Sequence, residues 1–340
     1  MPDMMLSQVA AEWSLPEPYR VRPLAHGTNN AVRLVETPAG SYVLRVYGNH
    51  ADAGRLRFEH AVLARLQAAD LPFGLPVPIP TRSGALYTSI ADGADGALLA
   101  TLTPFLPGEP PDRADLAQAR AGGAALGLLD VALAGIPSTD LDGAVSWRSY
   151  GDLAHCHPLV HDPRAAILEL PISENARERL AHSYDALTAR IPSLYASLPR
   201  QLVHEDYAPD NLLMEGARVT GVLDFEFCAR DVRVMDLTVA LSWWPGDRFG
   251  TGDEWPILQA VAEGYARHIT LTAREAAAIP TLYQLRAYTS LIHRLGRYRQ
   301  GLSPLPAVTD RALAALEREE WLRENGERLV ETVMKCMIDR

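Results

Sequence analysis

The chain has 340 residues, 48% of them hydrophobic and 22% charged, enough for one large domain or two lobes with their own cores and unlike a disordered polymer. Its formal net charge of −10 argues against a nucleic-acid groove or an anionic membrane surface as the main partner. Cys156, Cys228 and Cys336 are too few and too scattered for a disulfide framework or a four-ligand zinc site.

From Met1 to Glu12 no basic stretch leads into an apolar core, so no signal peptide is predicted. No apolar run approaches the ~18 residues that span a bilayer, and cytoplasmic residence is the default expectation. Lys335 is the only lysine, so 31 of the 32 basic residues are arginine. A Walker A phosphate loop needs a lysine and has none here. Any cation that meets a phosphate must be an arginine.

The first hundred residues read as a small sheet-rich unit. Ala31–Glu36 and Ser41–Tyr47 are short β-branched and aromatic runs around the turn Thr37-Pro38-Ala39-Gly40, which predicts a hairpin. A helix is predicted over Arg55–Ala69, with Leu56, Val62, Leu63 and Leu66 on one face. A second hairpin is expected across Ile79–Leu106, turning near Arg82-Ser83-Gly84 and Asp92–Gly96. The proline- and glycine-rich stretch Pro104–Pro111 then reads as a linker.

Helical patterns follow over roughly 113–134, 175–196, 235–244, 255–271, 280–299 and 309–337. Two short β-like runs, Asn211–Met214 and Val219–Asp224, interrupt them around Glu215-Gly216-Ala217. The expected fold class is therefore α+β: a small antiparallel-sheet lobe over 1–103 and a larger, mainly helical lobe over 104–340, with a cleft between.

Chemistry concentrates in the segment Leu202–Met214 and in Gly221–Glu226. His204, Asp206 and Asn211 fit the H-x-D-x-x-x-x-N catalytic-loop pattern. Asp224 follows Asn211 across the predicted hairpin. Phosphoryl transfer needs one carboxylate to orient and deprotonate the attacking hydroxyl, and a second acid plus an amide oxygen to hold Mg²⁺ against the phosphates. Asp206 fits the first task, Asn211 and Asp224 the second, and His204 reads as support for the loop. The bland alternative is a polar loop beside a strand-end acid.

The N-terminal unit supplies candidates for the nucleotide. Gly27, Thr28, Asn29 and Asn30 stand at the start of the first hairpin, where glycine allows backbone to approach phosphate. Arg45 occupies the strand position at which a kinase has its phosphate-binding lysine, and Glu59 the helix position of the acid that pairs with it. Each alone would read as a turn, a solvent-facing strand residue or a solvated helix face.

These motifs, with Phe105-Leu-Pro-Gly-Glu109 and Asp236-Leu, resemble the aminoglycoside phosphotransferase and choline kinase-like superfamily over nearly the whole chain. The run Gly221–Leu237 looks most similar to the type II homoserine kinases and their relatives. The resemblance implies a protein-kinase-like fold, ATP between the lobes, Mg²⁺ on Asn211 and Asp224, and adenine against the backbone near Thr103–Phe105. It also implies that Asp236 braces the catalytic loop. Arg45 in place of lysine and Glu205 in place of a frequent glycine are departures from the pattern.

Residues placed to meet a substrate are Glu205, Tyr207, Glu226, Arg230 and Trp243. Of the adjacent Trp243 and Trp244, one is expected in the core and one partly exposed. Arg230, Asp231 and Arg233 mix signs where an acceptor would approach, which suits an anion or a zwitterion. His155, Cys156, His157 and His161 fit no zinc spacing and read as an ordinary loop. The sequence thus predicts Mg·ATP-dependent transfer to the hydroxyl of a small molecule such as homoserine. An antibiotic phosphotransferase of the aminoglycoside type and a nucleotide-binding pseudokinase are the alternatives.

Overall fold

The computed structural model describes residues 9–24, 30–47, 52–91, 97–137, 141 and 146–338. Gly27, Thr28 and Asn29, and the turn at Asp92–Gly96, lie outside them, as does the side chain of Asn30.

Five strands, β1 (Arg20–Pro23), β2 (Asn30–Thr37), β3 (Gly40–Tyr47), β4 (Thr88–Ala91) and β5 (Ala97–Pro104), form one antiparallel sheet in the order β1-β2-β3-β5-β4. The β2–β3 register pairs Val32 with Arg45 and Thr37 with Gly40, and β3–β5 pairs Arg45 with Thr101. Side chains alternate across a strand. Leu44 and Val46 therefore enter a small core with Trp13, Val35, Ile90 and Leu102, while Arg45 and Tyr47 face the opposite side.

On that side lies α1 (Ala53–Gln67), capped by Asp52, whose carboxylate accepts from the Gly54 N–H at 2.7 Å. Its apolar face, with Phe58, Val62, Leu63 and Leu66, belongs to the core of the helical body rather than to that of the sheet. Glu59 is carried inward on the same face and is buried.

The helical body comprises α2 (Leu116–Ala134), α3 (Pro163–Leu168), α4 (Glu174–Ala196), α5 (Val234–Trp243), α6 (Glu254–Ala266), α7 (Ala273–Arg299) and α8 (Leu305–Ile338). The predicted helices are all present, with shifted ends. α7 begins seven residues before the expected 280 because Thr272 and Glu275 make a reciprocal capping box, and the helix then runs through Pro280. Among the described residues no helix is long and apolar enough to cross a membrane.

Two small ladders are set into this body: β6 (Arg200–Val203) with β9 (Ala229–Val232), and β7 (Leu212–Glu215) with β8 (Arg218–Val222). The β7–β8 hairpin is gripped by the segment that follows α1 and by the one that leaves β5. Gly74 donates to Thr220 O at 2.8 Å and accepts from the Val222 N–H at 3.1 Å. Glu109 and Met214 exchange a reciprocal pair of backbone bonds at 3.0 and 2.8 Å. The predicted linker therefore also buttresses the hairpin whose two ends carry Asn211 and Asp224.

Candidate active site

The loop after β6 is fixed from behind by Asp236, in the first turn of α5 and fully buried. Its carboxylate accepts the backbone N–H of His204 at 2.6 Å and that of Glu205 at 2.7 Å. The His204 ring bridges the two loops: Nδ1 accepts the Asp206 N–H at 3.2 Å and Nε2 stands 3.0 Å from Leu223 O. That pairing selects the neutral tautomer with its proton on Nε2. Burial also pushes the His204 pKa down. The residue orients the loop rather than taking a proton.

Asp206 follows, and Asn211 closes the loop by donating Nδ2–H to Asp206 O at 2.8 Å and to Asp206 Oδ2 at 3.0 Å. With its amide nitrogen so committed, the Asn211 side chain keeps its oxygen free as a donor to a cation. Asp224, at φ 63° in the left-handed region, is anchored by the fully buried Phe225, whose ring lies 4.6 Å from that of His204. Asp206, Asp224 and Glu226 then set three carboxylates close together. Burial and the charge of Asp224 push the Asp206 carboxyl up to about 7.

Arg45 enters this group from the sheet. One guanidinium nitrogen, Nη2, lies 2.7 Å from Asp224 Oδ1 and 3.4 Å from Glu226 Oε2, and Nη1 lies 3.8 Å from Glu59 Oε1. Glu59 is buried, and that burial raises its pKa to about 8 against the opposing charge of Arg45. The Tyr47 hydroxyl donates to Glu59 at 3.4 Å. The predicted Arg45–Glu59 pair is thus the longest of three contacts, and Arg45 chiefly ties the sheet to Asp224.

Mg²⁺ fits the donors present. Asn211 and Asp224 offer hard oxygen ligands within an excess of negative charge, and no group of three metal-ligating protein side chains occurs among the described residues. A site with few protein ligands suits an ion that keeps waters and takes phosphate oxygens.

Several expected contacts fall elsewhere. Tyr207 is fully buried and donates its hydroxyl to Gly122 O at 2.8 Å, so it faces the core and not an acceptor. Glu205 is likewise buried, at φ 63°, because Asp236 draws its N–H inward. Neither of its carboxylate oxygens has a hydrogen-bond partner among the described residues. Glu226 faces Arg45. Arg230 is exposed on β9, and the mixed-sign surface around it dissolves. Asp231 is buried and accepts from the Ser149 hydroxyl and the Tyr150 N–H, while Arg233 pairs with Glu275 at 2.8 Å. Thr103 pairs with Val43 inside the β3–β5 ladder. The Phe105 N–H donates to Ser41 O at 3.1 Å, so a purine would need another backbone donor on this stretch. Trp244 is core, and Trp243 is half-buried with Arg286 over its ring. His155 pairs with Asp152, and His157 stands 5.7 Å from the His293 ring.

Sequence reasoning missed two neighbours of the loop. The Tyr150 hydroxyl donates to Glu205 O at 2.7 Å, and Arg286 is close enough to oppose the rise in the Asp206 pKa. Arg286 was legible in one respect, as a charged residue on the buried stripe of α7 between Leu282, Leu285 and Thr289.

Residues 20–278 match the phosphotransferase enzyme family, APH. The chain belongs to this family. It is a small-molecule kinase with the kinase-like fold, and the use of ATP goes with that family. The homoserine kinase of Caulobacter vibrioides is 28% identical over 333 residues, 96% of each chain. That of Methylocella silvestris is 30% identical over 303 residues, 86% of this chain and 85% of the relative. Among solved structures, a microcompartment-associated aminopropanol kinase superposes with a TM-score of 0.75 at 21% identity, covering 96% of this chain and 100% of the other. An amicoumacin kinase in complex with AMP-PNP and Ca²⁺ gives a TM-score of 0.72 at 17% identity, with coverage of 96% and 94%.

Proposed function

We propose that this phosphotransferase moves the γ-phosphoryl of Mg·ATP to the hydroxyl of a small acceptor, with an amino-acid alcohol such as homoserine as the leading candidate. The observation that carries the reading is the convergence of Asp206, Asn211 and Asp224 at one spot faced by Arg45. The homoserine kinase names of the curated relatives favour that acceptor.

Asp206 is the base. The Asn211 amide holds one of its oxygens in place, so the acceptor oxygen meets a fixed partner. Asn211 and Asp224 would hold the Mg²⁺, which supplies charge neutralisation on the phosphates when bound. Arg45 adds a permanent positive charge beside Asp224. His204 and Asp236 keep the loop in register.

The test is ADP release coupled to a visible readout, run over a panel of alcohols with wild type and Asp206→Asn. We expect turnover on at least one hydroxyl compound, lost by a factor of about 10² or more in the variant, with nucleotide affinity within about twofold of wild type. Full activity in Asp206→Asn removes it as the base. A wild type that binds Mg·ATP yet turns over no alcohol overturns the proposal.

A further inference from the structure

The last two helices, α7 and α8, bring several arginines close to one another. Arg286, Arg294 and Arg297 come from α7, and Arg311 and Arg318 from α8. Among the described residues none of the five has a carboxylate at ion-pair distance. Other arginines do have one, as Arg113 does in Asp210, Arg120 in Glu263 and Arg233 in Glu275.

Two of the five converge on one indole. The Arg286 guanidinium carbon lies 4.3 Å from the centre of the Trp243 ring, and that of Arg311 lies 5.6 Å from it. Arg286 is only 9% exposed, and its Nε has no hydrogen-bond partner, as is also true of Arg297 Nε and Arg318 Nη1. A ring face can hold a guanidinium by cation–π attraction and leave its N–H edge for an oxyanion. Two like charges on one ring repel unless an anion joins them. Burial and the charges of Arg286, Arg294 and Arg318 push the Arg311 pKa down to about 10, so the site is stressed in the direction that a bound anion relieves.

We propose that Arg286 and Arg311, converging on Trp243, form the specificity subsite for a carboxylate of the acceptor. The enzyme thereby selects hydroxy acids over alcohols that carry only a positive charge. This deepens the phosphotransferase reading and rests on it. Arg113 connects the subsite to the catalytic loop, donating to Trp243 O at 2.7 Å and to the Asp210 carboxylate at 2.9 Å. The acids nearest the transfer site are engaged by other groups, Asp206 by Asn211 and both Asp224 and Glu226 by Arg45, so an amine on the acceptor counts for less than its carboxylate. Both arginines lie beyond residue 278, where the family match ends. The subsite is built on the last two helices.

Three acceptors with the same primary alcohol separate the charges: L-homoserine (zwitterion), 4-hydroxybutyrate (anion) and 3-aminopropan-1-ol (cation). Wild type is expected to show kcat/KM at least about tenfold higher for the two carboxylates than for the amine. Arg311→Gln should raise KM for both carboxylates about 10- to 100-fold, as expected for losing a charge-assisted bond. KM for ATP should stay within about twofold, and Arg311→Lys should recover part of the loss. Equal or better use of 3-aminopropan-1-ol by wild type overturns the proposal, as does an Arg311→Gln that impairs all three acceptors alike. If no alcohol turns over, the phosphotransferase reading falls, and the subsite is judged by calorimetric titration with 4-hydroxybutyrate. Binding to wild type that Arg311→Gln loses sustains the subsite, and absence of binding to wild type refutes it.

Discussion

Asp236→Asn isolates the bond pair that holds the catalytic loop. Both oxygens of Asp236 accept backbone N–H groups, at 2.6 and 2.7 Å, inside a fully buried site. An amide of the same shape offers one oxygen and turns an NH₂ donor toward the other N–H. One charge-assisted bond is lost and one buried donor is left without an acceptor, each worth roughly 1.5–3 kcal/mol. Burial pushes the Asp236 pKa up, so the neutral amide recovers part of that by removing a desolvated charge. The net loss expected is about 2–4 kcal/mol, read as a lower midpoint in denaturant unfolding at unchanged slope. Because the same N–H groups set the position of Asp206, kcat should fall by about 10² while KM for ATP changes little. A variant within about 0.5 kcal/mol of wild type and within twofold in kcat would refute the assignment of Asp236 as the brace.

Two further substitutions test how the site is built. Gly108 has φ 121°, and a Cβ there would stand 2.4 Å from Thr220 Oγ1 and 2.9 Å from Met214 N. Gly108→Ala should therefore cost about 2–4 kcal/mol in backbone strain and overpacking, visible as a fall in Tm, and a neutral result would mean that the linker does not grip the hairpin. Glu205 is buried, with its pKa pushed well up by burial and by Asp231. A carboxyl raised in the folded state stabilises below its unfolded value, near pH 4.5, and that contribution is lost as pH climbs through the folded value. Glu205→Gln lacks this titration, so its stability relative to wild type should improve as pH rises above the unfolded value, by at most ~1.4 kcal/mol per pH unit. Parallel stability curves for the two proteins would show that Glu205 is solvated.

Much of the architecture was legible because long periodic segments declare themselves. The Leu56, Val62, Leu63 and Leu66 stripe gave α1, and the Thr37–Gly40 turn gave the β2–β3 hairpin. β1, β6 and β9 were not foreseen, since four residues are too short to show a period. Spacing alone placed Asp206, Asn211 and Asp224 at one end of a hairpin, where the structure indeed brings them together. It did not reveal which acceptor-facing side chains point inward. Tyr207 and Glu205 flank Asp206 in sequence, yet the turn held by Asp236 rotates both into the interior. Arg286 and Arg311 sit on helices far along the chain, and only packing brings them to the same indole.

The guanidinium at position 45 has a practical consequence for anyone wishing to find this enzyme in a mixture. Reagents that tag kinases by acylating an amine at the triphosphate site would meet no primary amine there, because the single lysine, Lys335, lies three residues from the end of α8. Such a survey would pass over the protein while it was fully loaded with nucleotide.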